Sequence, residues 1–211
     1  MPVRILLADD HATVRRGLRA VLEERHDFNI CAEAGQGRQA VDLALKHKPD
    51  VAVLDISLPV LNGVEVARQI RKGSPGTEVL MFTMHESEAL ISAALHAGAR
   101  GYLLKSEAGD QVISAVTALV RHQPYFSSCV SETLLDRYTS AAPSQGDGLT
   151  ARERQIVQLI AEGYSNKKIA IMLEISVKTV ESHRSTVLRK LNIRCAADLV
   201  RYAIRNNLVQ A

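Results

Sequence analysis

The chain has 211 residues, 46% of them apolar and 23% charged, with a formal net charge of +3. That length suits one large or two small domains with real cores, so a disordered chain is disfavoured. Three scattered cysteines (Cys31, Cys129, Cys195) without a CxxC pair disfavour a disulfide scaffold and fit a reducing, cytoplasmic setting. No apolar run nears the roughly 18 residues that cross a bilayer. The opening MPVRILLADD meets acids too early for a signal peptide, so no membrane partner is expected.

The small net charge hides an asymmetry. Residues 149–211 carry 11 basic and 5 acidic side chains, net +6, whereas residues 1–148 carry 15 and 18, net −3. An acidic part joined to a basic part suggests that the second meets a polyanion. Between them, TSAAPSQGDG (139–148) is small, polar and broken by Pro143, Gly146 and Gly148, as linkers are. Fully extended, such a stretch reaches about 30 Å at roughly 3.3 Å per residue.

Residues 1–122 alternate between short apolar runs and helix-period segments. The runs are 3–8, 29–34, 51–55, 78–83 and 101–104; the helical segments are roughly 12–24, 37–47, 63–72, 86–97 and 109–121. Strands apolar on both faces, each followed by a helix, describe buried parallel strands in βαβ units. Five units predict an α/β, doubly wound (βα)5 sheet, whose ligands bind at the carboxyl ends of the strands.

The residues at those ends carry the chemistry. The first strand ends in Asp9 and Asp10, the third in Asp55, the fourth in Thr83, and the fifth leads to Lys105. Taken singly, acids after strands are ordinary turn formers and caps. Taken together, crowded carboxylates call for a divalent hard cation, and Mg²⁺ suits one or two carboxylates plus phosphate oxygens. One carboxylate can then attack phosphorus while Lys105 and Thr83 steady the phosphoryl oxygens.

With Pro59 and Gly63 in DISLPVLNG, with MFT83 and with GYLLK105, this stretch resembles the receiver domain of bacterial two-component response regulators. The resemblance implies that Asp55 accepts a phosphoryl group from the histidine of a cognate sensor histidine kinase. It implies that Asp10, Asp55 and the main-chain carbonyl of Ser57 hold Mg²⁺, Asp9 acting through water. Thr83 and Tyr102 match the family's switch pair, in which the hydroxyl moves toward the phosphoryl group and the ring turns inward. Ser106 departs from the pattern, since many members carry there a proline in a cis bond. A cis bond without proline costs about 2.5–4 kcal/mol, which leaves the geometry of this loop open.

Residues 149–211 read as all helical. Thr150 to Glu153 is a capping box opening a helix with Ile156, Val157, Leu159 and Ile160 inward, and Gly163 sits where a C-terminal cap belongs. Ser165 caps a second helix. After the turn at Glu174 and Ile175, Ser176 caps a third, polar and basic on one side. Two helices joined by a tight turn make a helix-turn-helix that can enter a major groove. The segment LTARERQIVQLIAEGYSNKKIAIMLEISVKTVESHRSTVLRKLNI resembles the LuxR-type DNA-binding domain, a helix-turn-helix domain of four helices.

That likeness makes the helix near Val177 the recognition helix. Glu181, Ser182 and Ser185 would then reach base edges; Lys178, Arg184, Arg189 and Lys190 are candidates for phosphate, with Thr179 beside them. A structural role for Glu181 is equally open. The last helix places Ala196, Leu199, Val200, Ala203 and Ile204 on one stripe. Most of that stripe suits the domain core; in the resembled family its outer part, here Leu199, Val200 and Ala203, pairs two copies on an inverted repeat of double-stranded DNA.

The combined resemblance is to NarL/FixJ-type response regulators: residues 1–122 as phosphoacceptor domain, 123–148 as connecting segment and linker, 149–211 as DNA-binding domain. Such a protein is a homodimer-forming transcriptional regulator rather than an enzyme. A hydrolase working through an aspartyl phosphate would carry a second carboxylate two residues after Asp55, where Ser57 stands.

Overall fold

The computed structural model describes residues 2–107, 109–139, 149–191, 193, 196–206 and 208–209. The chain divides into two compact units, Met1–Pro143 and Ser144–Ala211. Among the described residues no helix is long and apolar enough to cross a membrane.

In the first unit, strands β1 (Val3–Ala8), β2 (Phe28–Ala34), β3 (Val51–Leu54), β4 (Glu78–Thr83), β5 (Gly101–Leu104) and β6 (Tyr125–Phe126) form one parallel sheet in the order β2-β1-β3-β4-β5-β6. Helices α1 (Ala12–Glu23), α2 (Gly37–His47), α3 (Gly63–Gly73), α4 (Glu88–His96) and α5 (Asp110–Val120) connect the first five strands and lead on to β6. Alternate strand residues feed two cores. Leu6, Ala52, Leu54, Met81 and Tyr102 pack with α2, α3 and α4, whereas Ile5, Leu7, Val53, Leu80, Phe82 and Leu103 pack with α1 and α5. Both faces of β3, β4 and β5 are therefore buried, as their unbroken apolar runs require.

The strand order reverses between β1 and β3, and the crevice at their carboxyl ends is where such sheets bind ligands. The predicted α/β architecture holds, with an addition in the segment assigned to the connector. Within 123–148 the chain forms β6, parallel to β5, and helix α6 (Ser128–Thr139). A strand of two residues leaves no periodic signal. The inward pair Val130 and Leu134 of α6 is a short stripe in a polar stretch.

Among its described residues the second unit holds four helices, as predicted: α7 (Ala151–Ala161), α8 (Asn166–Met172), α9 (Val177–Lys190) and α10 (Ala196–Arg205). Each of the first three starts on the hydroxyl read from the sequence. The Glu153 N–H donates to Thr150 and the Glu153 carboxylate accepts from the Thr150 N–H, a complete capping box. Ser165 and Ser176 accept from the amides of Lys168 and Thr179. Gly163, with φ +86°, ends α7, and Glu174, with φ +54°, makes the turn between α8 and α9.

Candidate functional sites

Sheet hydrogen bonding sets the pocket. The Asp55 amide donates to the Ala8 carbonyl at 2.8 Å and the Asp9 amide to the Ala34 carbonyl at 3.2 Å, so the ladder carries two carboxylates past the strand ends side by side. Asp9 and Asp55 are 1% and 2% exposed. Lys105 opens a 3₁₀ turn, Lys105–Glu107, directly after β5. Its Nζ stands 2.6 Å from Asp9 Oδ2 and 2.7 Å from Asp55 Oδ2. Among the described residues there is no cis peptide bond.

The electrostatics follow from that clasp. Burial alone pulls the Lys105 ammonium down, but the hydrogen bond and charge of Asp55, then of Asp9, outweigh it and hold its pKa above the ordinary lysine value. Burial raises the Asp9 carboxyl, and the Lys105 contact and the His11 amide offset only part of the rise. Asp9 Oδ1 accepts from that amide at 2.8 Å. Asp55 Oδ1 is buried with no hydrogen-bond partner among the described residues. A carboxylate oxygen left bare in that way is an open ligand position.

Asp10 faces solvent, and its Oδ1 lies 2.7 Å from His11 Nδ1. Ligand atoms of Asp9, Asp10 and His11 fall within 4.8 Å of one another, a cluster compatible with a divalent cation.

The loop after Asp55 folds back hard on it. The Gly63 amide donates to the Ile56 carbonyl at 2.8 Å, and Asn62 caps α3 by accepting from the Glu65 amide at 3.0 Å. A Cβ on Gly63 would stand 2.0 Å from the Asp55 carbonyl oxygen. Within this loop Val60 adopts φ +70°, a conformation that costs a β-branched residue on the order of 1–3 kcal/mol and that clusters at functional sites.

Thr83 and Tyr102 are both fully buried. Thr83 Oγ1 accepts from the His85 amide at 3.3 Å, and the Tyr102 hydroxyl donates to the His85 carbonyl at 2.7 Å. His85 Nε2 lies 2.7 Å from Ser57 Oγ. The ring of Tyr102 already lies inward, so the expected inward turn is not a movement this conformation has left to make. Burial pushes its phenol pKa far up and pulls the His85 imidazole down. His85 ties together three positions read from the sequence, yet nothing in the sequence marks it. Only closure of the two loops brings it to Ser57.

On α9, Lys178, Glu181, Ser182, Ser185 and Arg189 are exposed. Thr179 is half-buried, its Oγ1 2.8 Å from Ser176 Oγ, and half-buried Arg184 points to Asn166 Oδ1 at 3.5 Å. Lys190 is engaged elsewhere, donating to the buried Glu153 carboxylate at 2.7 Å. In α10 the structure corrects the reading of the stripe: Leu199 and Ala203 are fully buried in the domain's own core with Val157 and Val187. They have no surface left to offer a second copy. Val200 is half-buried and Ile204 is 37% exposed.

The fold and pocket define a signalling receiver joined to a helix-turn-helix unit. Residues 5–117 match the response regulator receiver domain, and residues 147–203 match the bacterial regulatory proteins of the luxR family. The oxygen regulatory protein NreC of Staphylococcus epidermidis is 36% identical over 99% of this chain and 100% of its own. The transcriptional regulatory protein MctR of Rhizobium johnstonii is 36% identical over 98% and 95%. A solved structure of two RcsB dimers bound to two parallel DNAs shares 26% identity, covers 96% of this chain and 98% of that one, and superposes with a TM-score of 0.62. The chain belongs to the NarL/FixJ-type response regulators, a receiver domain followed by a LuxR-type helix-turn-helix domain.

Proposed function

We propose that this protein is a cytoplasmic transcriptional regulator in which phosphorylation of Asp55 by a sensor histidine kinase controls binding of double-stranded DNA. The observation that carries the reading is the Lys105 clasp on Asp9 and Asp55, beside a buried Asp55 Oδ1 with no hydrogen-bond partner among the described residues. In the reaction an Asp55 oxygen attacks phosphorus, the bond to the kinase histidine breaks, and the imidazole leaves with its electron pair. Lys105 moves its charge from carboxylate to phosphoryl oxygen, and the Thr83 hydroxyl donates to a second oxygen.

Asp9, Asp10, Asp55 and the main-chain carbonyl of Ser57 would hold Mg²⁺, which when bound neutralises phosphoryl charge. Exposed Asp10 and bare Asp55 Oδ1 fit that donor set. Water attack on the aspartyl phosphate resets the protein, and Ser57 offers no carboxylic acid for turnover of an outside substrate.

On DNA, α9 lies in the major groove with Glu181, Ser182 and Ser185 toward base edges and Lys178, Arg184 and Arg189 toward phosphates. The RcsB dimers on DNA support binding of DNA as a dimer, for which an inverted repeat is the matching site. Of Leu199, Val200 and Ala203, Val200 is the one that keeps exposed surface and would take part. The phosphoacceptor part spans 1–122 and the DNA-binding part 149–211, with β6 and α6 in the segment between.

The test is labelling by acetyl phosphate and Mg²⁺. The wild-type chain gains one phosphoryl group, Asp55→Asn gains none, and Asp10→Asn labels slowly because its Mg²⁺ affinity falls. Label that survives in Asp55→Asn refutes the assignment.

A further inference from the structure

Only Asp9, Asp10 and His11 join β1 to α1. The Asp9 carbonyl lies past the ladder of β1 and ahead of the first turn of α1, and in so buried a residue it needs a donor from the protein. Arg15 supplies it. One turn into α1, its side chain reaches back toward the start of the helix, and Nη1 donates to that oxygen at 2.6 Å. The Asp9 oxygen and the Asp10 nitrogen belong to one planar peptide unit. The guanidinium therefore fixes the plane from which the exposed Asp10 carboxylate hangs. Arg15 is itself held. Its Nε is buried without a hydrogen bond among the described residues and lies 3.4 Å from Glu33 Oε2, an ion pair across to β2. Arg19 grips Glu33 in turn, its Nε donating to Oε1 at 2.7 Å while its Nη1 holds Glu23 at 2.6 Å. Glu33 sits in register with Leu7, so the two strands that carry the acidic turn also brace the arginine.

We propose that Arg15 is a positioning residue for the Mg²⁺ site, aiming Asp10 through the Asp9 carbonyl, with Glu33 as its brace. The proposal rests on Asp10 and Asp55 being the Mg²⁺ ligands. The guanidinium acts on that site in two opposite ways. Its positive charge repels a divalent cation. Its grip holds the acidic turn in one orientation, so that Asp10 is ordered before the ion arrives. Without the fork the turn is free to reorient, and binding of the ion has to order it. The grip outweighs the charge, because Glu33 already offsets much of the charge whereas it cannot replace the donor.

Calorimetric titration of Mg²⁺ into the full-length protein tests this, with thermal midpoints and labelling by acetyl phosphate measured on the same samples. Contacts that orient a metal ligand are worth about 10–100-fold in affinity, so Arg15→Gln is expected to weaken Mg²⁺ binding at least about tenfold although it removes a positive charge. Arg15→Lys keeps the charge and loses the fork, and it too should bind Mg²⁺ more weakly than wild type. Glu33→Gln should act in the same direction. The double variant Arg15→Gln with Glu33→Gln should bind no worse than Arg15→Gln alone, since the two residues act in series. At saturating Mg²⁺ each variant should take label at close to the wild-type rate, the mark of lost ion binding rather than lost chemistry. Unchanged or tighter Mg²⁺ binding in Arg15→Gln overturns the proposal, as does an Arg15→Lys variant equal to wild type, which leaves charge alone. Lowered thermal midpoints with unchanged Mg²⁺ affinity overturn it as well, leaving a purely structural arginine. A wild-type chain that binds Mg²⁺ but takes no label overturns the phosphoacceptor reading, and the titrations still decide on Arg15. A wild-type chain that binds no Mg²⁺ overturns the ion site and the role of Arg15 together.

Discussion

The Lys190 ammonium lies 2.7 Å from Glu153 Oε2, fastening the last turn of α9 to the first turn of α7. Glu153 is 5% exposed and also closes the capping box at Thr150. Lys190→Ala is therefore expected to destabilise the DNA-binding unit by about 1 kcal/mol, since the lysine end of the pair is partly solvated. That lowers its thermal midpoint by roughly 4–8 °C in a domain of this size. The slope of DNA affinity against salt stays as in wild type; a flatter slope with an unchanged midpoint would return Lys190 to the phosphate contacts.

The same pair sets a pH dependence. The Lys190 hydrogen bond, then the Thr150 amide, hold the Glu153 carboxyl below its ordinary value of 4.5. A depressed carboxylate stabilises the fold above that ordinary value, and the contribution is lost as pH falls through the depressed one. Calorimetry of wild type against Glu153→Gln should show a gap at pH 7 that narrows on acidification below 4.5. A gap that widens in acid refutes this account.

Gly63→Ala places a methyl group 2.0 Å from the Asp55 carbonyl, where backbone rather than a flexible side chain must yield. Overpacking of this kind costs about 1–3 kcal/mol. Because the displaced atom belongs to Asp55, labelling by acetyl phosphate should slow even at temperatures where the variant is folded.

Lys105→Met removes the cation that now neutralises Asp9 and Asp55. With one positive charge gone from a buried pocket, Mg²⁺ should bind about tenfold more tightly, a difference of about 1.4 kcal/mol. The variant should also fail to raise DNA affinity when labelled. Magnesium titration by calorimetry separates the two effects, and weaker Mg²⁺ binding would mean that Lys105 does not compete with the ion.

For the DNA-binding face, Lys178→Ala and Arg189→Ala should each weaken binding on all sequences and lower the salt slope by about 0.9. Ser182 and Ser185 substitutions should instead change which base is preferred. Wild-type affinity indifferent to salt would count against the whole interface. Phosphorylation should raise the affinity of the full-length protein about 5–150-fold. If segment 145–211 binds better than the unphosphorylated whole, the receiver inhibits; if it binds worse than both full-length forms, the receiver acts by promoting dimers.

The parts of this molecule legible in the sequence are those set by local periodicity. Apolar strands such as VAVL of β3 announced the parallel sheet, and Asp9, Asp55 and Lys105 were found because strand ends are countable. The helix starts at Thr150, Ser165 and Ser176 followed from hydroxyls placed three residues before the amides they cap. What escaped depends on closure through space. His85 acquires its partners only when two loops meet, and β6 is too short to carry a pattern. The α10 stripe is apolar without naming its partner: core and dimer contact both fit the pattern, and burial places Leu199 and Ala203 in the core. Lys190 reads as a phosphate contact because charge in sequence says nothing of a carboxylate 37 positions earlier.

Helix α7 feeds two separate cores. Val157 packs with Val187, Leu199 and Ala203, whereas Ile156 and Leu159 pack with Ile169, Ala170 and Val180, and Ile160 touches both. Helix α9 is likewise split, giving Val180 to the second cluster and Val187 to the first. Among the described residues α10 enters the first cluster and not the second, through Leu199 and Ala203 against Val187. A cavity cut into α10 therefore slackens the C-terminal half of α9 while its N-terminal half stays seated on α7 and α8.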